Sequence, residues 1–479
     1  MNYKIIRHIL AQVLRIEAAS MVLPLVCAVL YKETNILTTW LLSIFICVAA
    51  SFLISYKTPA KKEFYAREGF VAVALSWIFL SIFGALPFFI SRYIPNFVDA
   101  VFETASGFTT TGASILTNVE ALPKSLLFWR SFTHWIGGMG VLVFMVAILP
   151  MSGGNNFFLI KAESPGPSVS KLVPRVKHTA KLLYQIYIAL TIVQIVLLLC
   201  GGMKIFDALT LSFGTAGTGG FGIRNSSIAD YSSYSQIVIT IFMFIFGVDF
   251  SLYHMMLMRK PGYLFKSDEF KSYAGIVLIS IILVTINCSH LFASVWETIK
   301  HSAFQVVSII TTTGYVTADF DKWPEFSKAI LLMVMFCGAC AGSTGGGIKV
   351  SRIIILLKSI VKEVKIGAHP KTTVKLKMNG RPIEHETVRA VNVFMAAYLA
   401  IFILSFILIS LDNMDFTTNF TSVLTTLGNV GPGLSKVGPT GNFADFSLFS
   451  KIVLTFNMII GRLEIFPMLI LCSVSTWKK

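Results

Sequence analysis

Residues 107–114 read GFTTTGAS and residues 310–316 read ITTTGYV, so one tetrapeptide occurs twice, as Thr109, Thr110, Thr111, Gly112 and as Thr311, Thr312, Thr313, Gly314. Two degenerate copies accompany it: Ala216, Gly217, Thr218, Gly219 in TAGTGGFG, and Thr425, Thr426, Leu427, Gly428 in LTTLGNVG. The closing glycines at 112, 219, 314 and 428 are 107, 95 and 114 residues apart, a spacing too regular for four unrelated loops. It marks four repeats. Each copy also follows a short apolar approach, VDAVFETASGF, IFDALTLSFG, HSAFQVVSII or DFTTNFTSVL, which reads as a helix of about ten residues. A half-length helix running into a Thr/Gly loop is the pattern expected of a re-entrant unit in a cation pore.

The expectation rests on coordination chemistry. A dehydrated monovalent cation needs several oxygens at close range, and backbone carbonyls supply them when an extended chain turns them inward. Glycine permits the dihedrals that a Cβ resists, and threonine adds a hydroxyl without charge. Irregular backbone at membrane depth is tolerated only where it lines a water-filled path or is buried in protein. Four copies fit one ring around one axis.

The composition suits that setting. The chain has 479 residues, 55% hydrophobic and 13% charged, with a mean hydropathy of +0.74. These values belong to an all-α polytopic membrane protein and leave no soluble domain of ordinary size. The net charge of +16 does not imply nucleic acid, because the basic residues lie between apolar spans and form no basic face with interleaved aromatics. Seven scattered cysteines argue against a disulfide framework, and the CxxC spacing of Cys337 and Cys340 lacks the second pair or histidine that a metal site needs. Arg15 and Glu17 interrupt the first apolar stretch, so it is expected to be a retained span and not a cleaved signal.

Apolar stretches at 14–31 and 36–56 predict a leader hairpin, which with its basic linker fills 1–67. Repeat 1 (68–150) then has spans at 69–91 and 125–149, repeat 2 (181–257) at 182–200 and 236–257, repeat 3 (272–361) at 273–292 and 326–360, and repeat 4 (388–475) at 388–411 and 448–475. The expected total is about ten transmembrane helices with four pseudo-repeated helix–pore-helix–helix units around one pore. With the N-terminus inside, 27 of the 40 Lys/Arg fall on the segments 1–15, 57–67, 151–181, 258–271, 351–389 and the tail. That bias predicts both termini on the cytoplasmic side of the membrane. Within the longest inner loop, TTVKLKMNGRPI alternates like a small hairpin turning at Asn379-Gly380. The loop suits either contact with anionic lipid of the bilayer or docking of a cytoplasmic regulator.

Residues 337–352 read CGACAGSTGGGIKVSR. Five glycines from Gly338 to Gly347, each costing about 1 kcal/mol relative to alanine, break this helix. The flanks AILLMVMF and VSRIIILLKSI look like halves of one span, and a broken membrane helix usually lines a path. Gly338, Gly342, Ser343, Thr344, Gly345, Gly346, Gly347 and Lys349 are therefore candidate gate residues, with a packing kink as the alternative. A phosphate loop is not the reading, because Ile348 separates Gly347 from Lys349. Arg462, within FNMIIGRLEIFPMLI, is an ionisable residue placed mid-span, which faces either an aqueous path or a structural partner, Glu464 or a loop carbonyl, although Glu464 two residues on does not share its helical face. Asp249 reads as structural or interfacial, and GGMG at 137–140 as close helix packing. No paired acid, His/Asp cluster or nucleophile–base pair supports an enzyme, and no organic cofactor is expected.

With these residues the chain resembles the superfamily of Trk, Ktr and HKT potassium transporters, most closely its TrkH/TrkG type. The resemblance covers the leader hairpin, four repeats, the Gly-rich break and GNVGPGLS after the fourth loop. It implies a homodimer with one pore per subunit, K+ as the transported ion, and control by a cytosolic nucleotide-binding ring protein of the TrkA kind. It maps the four filter glycines onto Gly112, Gly219, Gly314 and Gly428, the intramembrane gate onto Gly338 to Gly347, and the pore arginine onto Arg462. Departures at Ala216, Gly217 and Leu427 weigh against equivalent coordination by all four loops. Gly112, where the sodium-conducting branch has serine, favours potassium. A sodium-permeable or cation-coupled symporter of the same fold remains the alternative.

Overall fold

The computed structural model describes residues 1–55, 65–140, 176–259 and 262–478. Among these, six helices are long and apolar enough to cross a membrane: Tyr3–Leu30, Thr34–Ile54, Ala66–Ile90, Ala180–Cys200, Asp268–Asn287 and His385–Asp412. A seventh candidate, Ser233–Phe246 with Phe250–Leu257, bends by 91° at its break. Their outer faces carry large apolar side chains, as lipid contact requires, while the polar residues turn inward.

Inside this shell lie four short helices, Phe97–Phe108, Ile205–Ala216, Val295–Ile310 and Phe416–Gly428. Asn96, Ser294 and Asp415 accept backbone N–H groups at the start of the first, third and fourth, which fixes where each begins. Each short helix packs between the two longer helices that flank it in sequence. Each also packs on a helix of the repeat before it: the first on Leu448–Arg462, the second on Lys124–Gly138, the third on Ser233–Phe246, the fourth on Glu325–Cys337. The chain of contacts closes on itself.

Some expected boundaries move. The first helix starts at Tyr3 instead of residue 14, because Ile5, Ile6, Ile9, Leu10 and Val13 form a buried stripe despite the intervening charges. Arg7 and Arg15 end on carbonyl oxygens of Ile54 and Ser55, so the charges that break the hydropathy profile do not break the helix. The last span is not one helix: it stops at Arg462 and resumes at Phe466, with Glu464 and Ile465 in left-handed backbone and Pro467 opening the second piece. The rest of the span 125–149 beyond residue 140, the inner segment up to residue 175 and most of the basic linker, 56–64, lie outside the described residues.

The stretch expected as the span 326–360 consists of two helices, Glu325–Cys337 and Val350–Ala368, with the Gly-rich segment between them. The loop before His385–Ile409 forms the hairpin Lys377–Met378 against Arg381–Pro382, with Asn379 and Gly380 both left-handed at the turn. Asp268 pins it, accepting from the Asn379 N–H at 2.9 Å and from Lys358 Nζ at 3.2 Å. All seven cysteines are free.

Candidate functional site

All four short helices end in the same backbone motif. In the first, Thr110 is left-handed (φ 55°), its N–H reaches the Gly107 carbonyl, and the Thr111 N–H reaches back to Ser106 O at 2.9 Å. Thr218, Thr312 and Asn429 repeat it, with Gly219, Thr313 and Val430 donating to Gly214, Ser308 and Thr425 at 2.8 Å each. This is the Schellman closure, which needs a left-handed residue just past the helix. Threonine is β-branched and disfavoured there, at roughly 1–2 kcal/mol, so three strained threonines in one role point to function.

Two residues after each left-handed residue stands a glycine with positive φ: Gly112, Gly220, Gly314 and Gly431. The backbone thus corrects the register read from sequence. Gly219 and Gly428 do not occupy the place of Gly112 and Gly314; the loops are displaced by one residue in the second repeat and three in the fourth. Thr425, Thr426, Leu427 and Gly428 belong to the last turn of the fourth helix, and Ala216 ends the second, with Gly217 as its cap. The shared requirement is a backbone state, left-handed then glycine two residues on, and not the letters Thr-Thr-Thr-Gly.

In the corrected register the loops form a closed ring. A Cβ on Gly112 would overlap the carbonyl oxygen of Gly219, one on Gly220 that of Thr313, one on Gly314 that of Val430, and one on Gly431 would come within 2.7 Å of that of Thr111. Each loop's glycine therefore rests on the equivalent carbonyl of the next loop. The short helices also point their C-terminal ends at this ring, where the partial negative charge of the helix dipole favours a cation.

The chain matches the family model described as "TrkH: Cation transport protein" over residues 36–279 and 270–478. It is 36% identical to the Trk system potassium uptake protein TrkH of Salmonella typhimurium, with all of both chains covered. It is 32% identical to TrkG of Escherichia coli over 100% of this chain and 99% of that one. The crystal structure of the potassium transporter TrkH from Vibrio parahaemolyticus superposes with a TM-score of 0.90 at 33% identity, again over all of both chains. The chain belongs to the TrkH family. It is a membrane-spanning cation transport protein and not an enzyme.

In this TrkH-family chain the Gly-rich stretch lies against the ring. The Gly346 N–H donates to Thr312 Oγ1 at 2.7 Å, and Cβ atoms on Gly345 and Gly346 would meet the carbonyl oxygens of Thr311 (3.1 Å) and Gly428 (2.8 Å). Gly338, Gly342 and Gly347 have positive φ, so three left-handed bends fold the loop back. Lys349 Nζ caps the Gly345 carbonyl, and Ser343 Oγ the Cys340 carbonyl. The loop's far side sits on the break of the bent second-repeat helix: Cys340 N to Gly247 O is 3.1 Å, Phe250 N to Gly342 O 3.1 Å, and Thr344 Oγ1 to Phe246 O 3.2 Å. Asp249 is structural, capping the helix past that break through Ser251 N at 2.8 Å.

Arg462 spans from this loop to the first repeat. Its guanidinium donates to Thr344 O at 2.9 Å and to Gly137 O and Gly138 O at 2.5 and 2.6 Å. Glu464 is not its partner and pairs instead with Arg352. Gly137 and Gly138 are indeed packing residues, since Cβ atoms there would overlap Phe108 O and come within 2.6 Å of Gly217 Cα.

Several supporting residues escaped sequence reading. Glu103 and Arg130 form a fully buried pair at 2.8 Å. Glu103 also holds Ile115 N (3.0 Å), just past the first loop, and Arg130 holds Gly222 O (3.1 Å), just past the second. Glu269 accepts from Ala341 N and Ser351 N, clamping both ends of the Gly-rich loop. Tyr315 Oη reaches Leu211 O at 3.1 Å, and Asn429 Nδ2 reaches Thr111 Oγ1 at 2.9 Å. The one available signal was charge inside apolar helices, Glu103 in the first approach helix and Arg130 in the span that follows its loop.

Proposed function

We propose that this chain carries potassium into the cell across the cytoplasmic membrane, through a filter made of the four loops. The observation that carries this reading is the closed ring in which Gly112, Gly220, Gly314 and Gly431 each rest on the carbonyl of the following loop. Such a ring sets its aperture by backbone contact, so the cation meets carbonyl oxygens at a spacing that no single side chain can relax. In this reading the ion path is lined by Thr110–Gly112, Thr218–Gly220, Thr312–Gly314 and Asn429–Gly431. The four units with the leader hairpin give ten spans, both termini inside.

The Gly-rich loop from Gly338 to Gly347 is the gate. Its hydrogen bond to Thr312 and its three glycine bends support a segment that lies under the filter and can refold. Arg462 acts there as a clasp, and its charge adds a barrier: at about 4 Å and an effective dielectric of 20, a passing K+ is raised by about 4 kcal/mol. Drive for the gate comes from outside the chain, in a homodimer that binds a cytosolic nucleotide-binding ring protein through the basic inner loops and the pinned hairpin.

Purified protein in liposomes, with K+, Rb+ and Na+ fluxes compared under imposed proton gradients, tests the reading. Potassium flux well above sodium flux is expected, and Gly112→Ser is expected to narrow the difference. Equal K+ and Na+ fluxes in the unaltered protein would refute a potassium filter and favour the sodium-permeable alternative. Dependence on the proton gradient would assign coupled symport.

A further inference from the structure

The ring has four similar inner edges and unequal walls behind them. In loops 1 and 3 the wall is a threonine pair, Thr109 and Thr111 with Oγ1 atoms 2.8 Å apart, and Thr311 and Thr313 at the same distance. Thr109 and Thr311 donate onward to helix carbonyls of Ala105 and Val307. The equivalent residues of loop 2 are Gly217 and Gly219, which bring no side chain to the wall. The space is nevertheless filled.

His134, fully buried on the helix Lys124–Gly138 of the first repeat, occupies it. A Cβ on Gly219 would overlap the imidazole at Nδ1 and Cγ and lie 2.6 Å from Cε1. A Cβ on Gly217 would overlap the His134 backbone carbonyl. The ring stacks on Phe221 with centroids 4.3 Å apart and an interplanar angle of 22°, and Arg130 lies 4.0 Å from the same phenyl centroid. Among the described residues neither imidazole nitrogen has a hydrogen-bond partner. A buried polar ring without partners is costly, by about 1–3 kcal/mol per group, so its retention against a filter backbone calls for a reason beyond packing.

We propose that His134 is the positioning residue of the second filter loop: it supplies from another repeat the wall that threonine side chains supply within loops 1 and 3, and so helps set selection of K+ over Na+. This rests on the filter reading above. It also explains why Gly219 is glycine. That position has ordinary negative φ, and its equivalents are Thr111, Thr313 and Val430, so the backbone permits a side chain and the imidazole excludes one.

The test is an exchange of walls, read as the K+/Na+ permeability ratio in liposomes per folded protein. His134→Ala, which leaves a cavity behind the loop, is expected to lower the ratio about tenfold. Gly219→Thr alone is expected to lower it as well, because the new side chain and the imidazole compete for one space. The double variant His134→Ala/Gly219→Thr, which restores the wall from the loop's own side, is expected to recover the ratio to within about threefold of the parent. A role in folding alone would change the amount of folded protein and leave the ratio per folded protein unmoved. If His134→Ala keeps the parent ratio while Gly112→Ser lowers it, the His134 assignment falls and the filter reading stands. If neither variant moves the ratio, the filter reading itself falls. Should His134→Ala not fold, the double variant decides alone: a ratio near that of the parent supports the assignment and a tenfold loss overturns it.

Discussion

Loops 1 and 3 share the sequence Thr-Thr-Thr-Gly, whereas loops 2 and 4 read Gly-Thr-Gly-Gly and Gly-Asn-Val-Gly at the same backbone positions. All four nevertheless close their helices with the same two hydrogen bonds and rest a glycine on the next loop's carbonyl. What differs is the source of support. Loops 1 and 3 carry their own hydroxyl pairs; loop 2 leans on His134 from the first repeat; loop 4 ties Asn429 across to Thr111 and to Met458 O at 2.8 Å. The comparison shows that backbone geometry is the quantity held constant and that side chains are interchangeable means to it.

The strongest way to break the comparison is to remove support that two loops share. Glu103→Ala leaves Arg130 buried without its carboxylate and should destabilise the protein by about 3–5 kcal/mol, seen as a lowered melting temperature in detergent. A shift within a degree or two would mean that the buried pair does not brace loops 1 and 2.

A sharper trial sets two glycines of loop 4 against each other. Gly431→Ala meets both a positive φ of 100° and the Thr111 carbonyl, so K+ uptake should fall by about tenfold or more. Gly428→Ala is helical, meets Val430 Cγ2 at 3.4 Å and Met335 O at 3.8 Å, both ordinary contacts, and should change uptake less than about threefold. The reverse order in a complementation or Rb+ uptake assay would restore the sequence register and discard the structural one.

Arg462→Ala removes three hydrogen bonds that clasp the Gly-rich loop to the first repeat. Basal K+ leak per folded protein should rise several-fold, and shortening the loop across Gly345–Gly347 should raise it in the same direction. Reduced leak in both variants would show that loop and arginine serve packing only.

The smallest effect compares one position in two loops. Thr312 Oγ1 accepts the Gly346 N–H of the gate loop, whereas among the described residues Thr218 Oγ1 bonds only the carbonyl of its own neighbour Gly217, at 2.6 Å. Thr312→Val should therefore raise leak by up to about fivefold, the equivalent of about 1 kcal/mol for one hydrogen bond. Thr218→Val should leave leak within about twofold of the parent. Equal responses would remove the distinction between gated and ungated loops.

By itself the sequence determined whatever depends on neighbours along the chain. The repeat spacing, the short helices, the glycine-broken span at 338–349 and the Asn379-Gly380 hairpin all follow from periodicity, capping and turn chemistry within a few residues. It also showed that Arg462 needed a polar partner or an aqueous path, because a charge in an apolar stretch has no other outlet. Only the tertiary structure decided the register of loops 2 and 4, since φ and a neighbouring carbonyl, not residue identity, define the equivalent glycine. It alone decided which atoms meet across the fold. Asn429 and Thr111 are 318 residues apart, Arg462 and Gly137 are 325, and the wall of loop 2 stands on the helix of another repeat. Close packing places such pairs by shape, and shape is a property of the assembled helices.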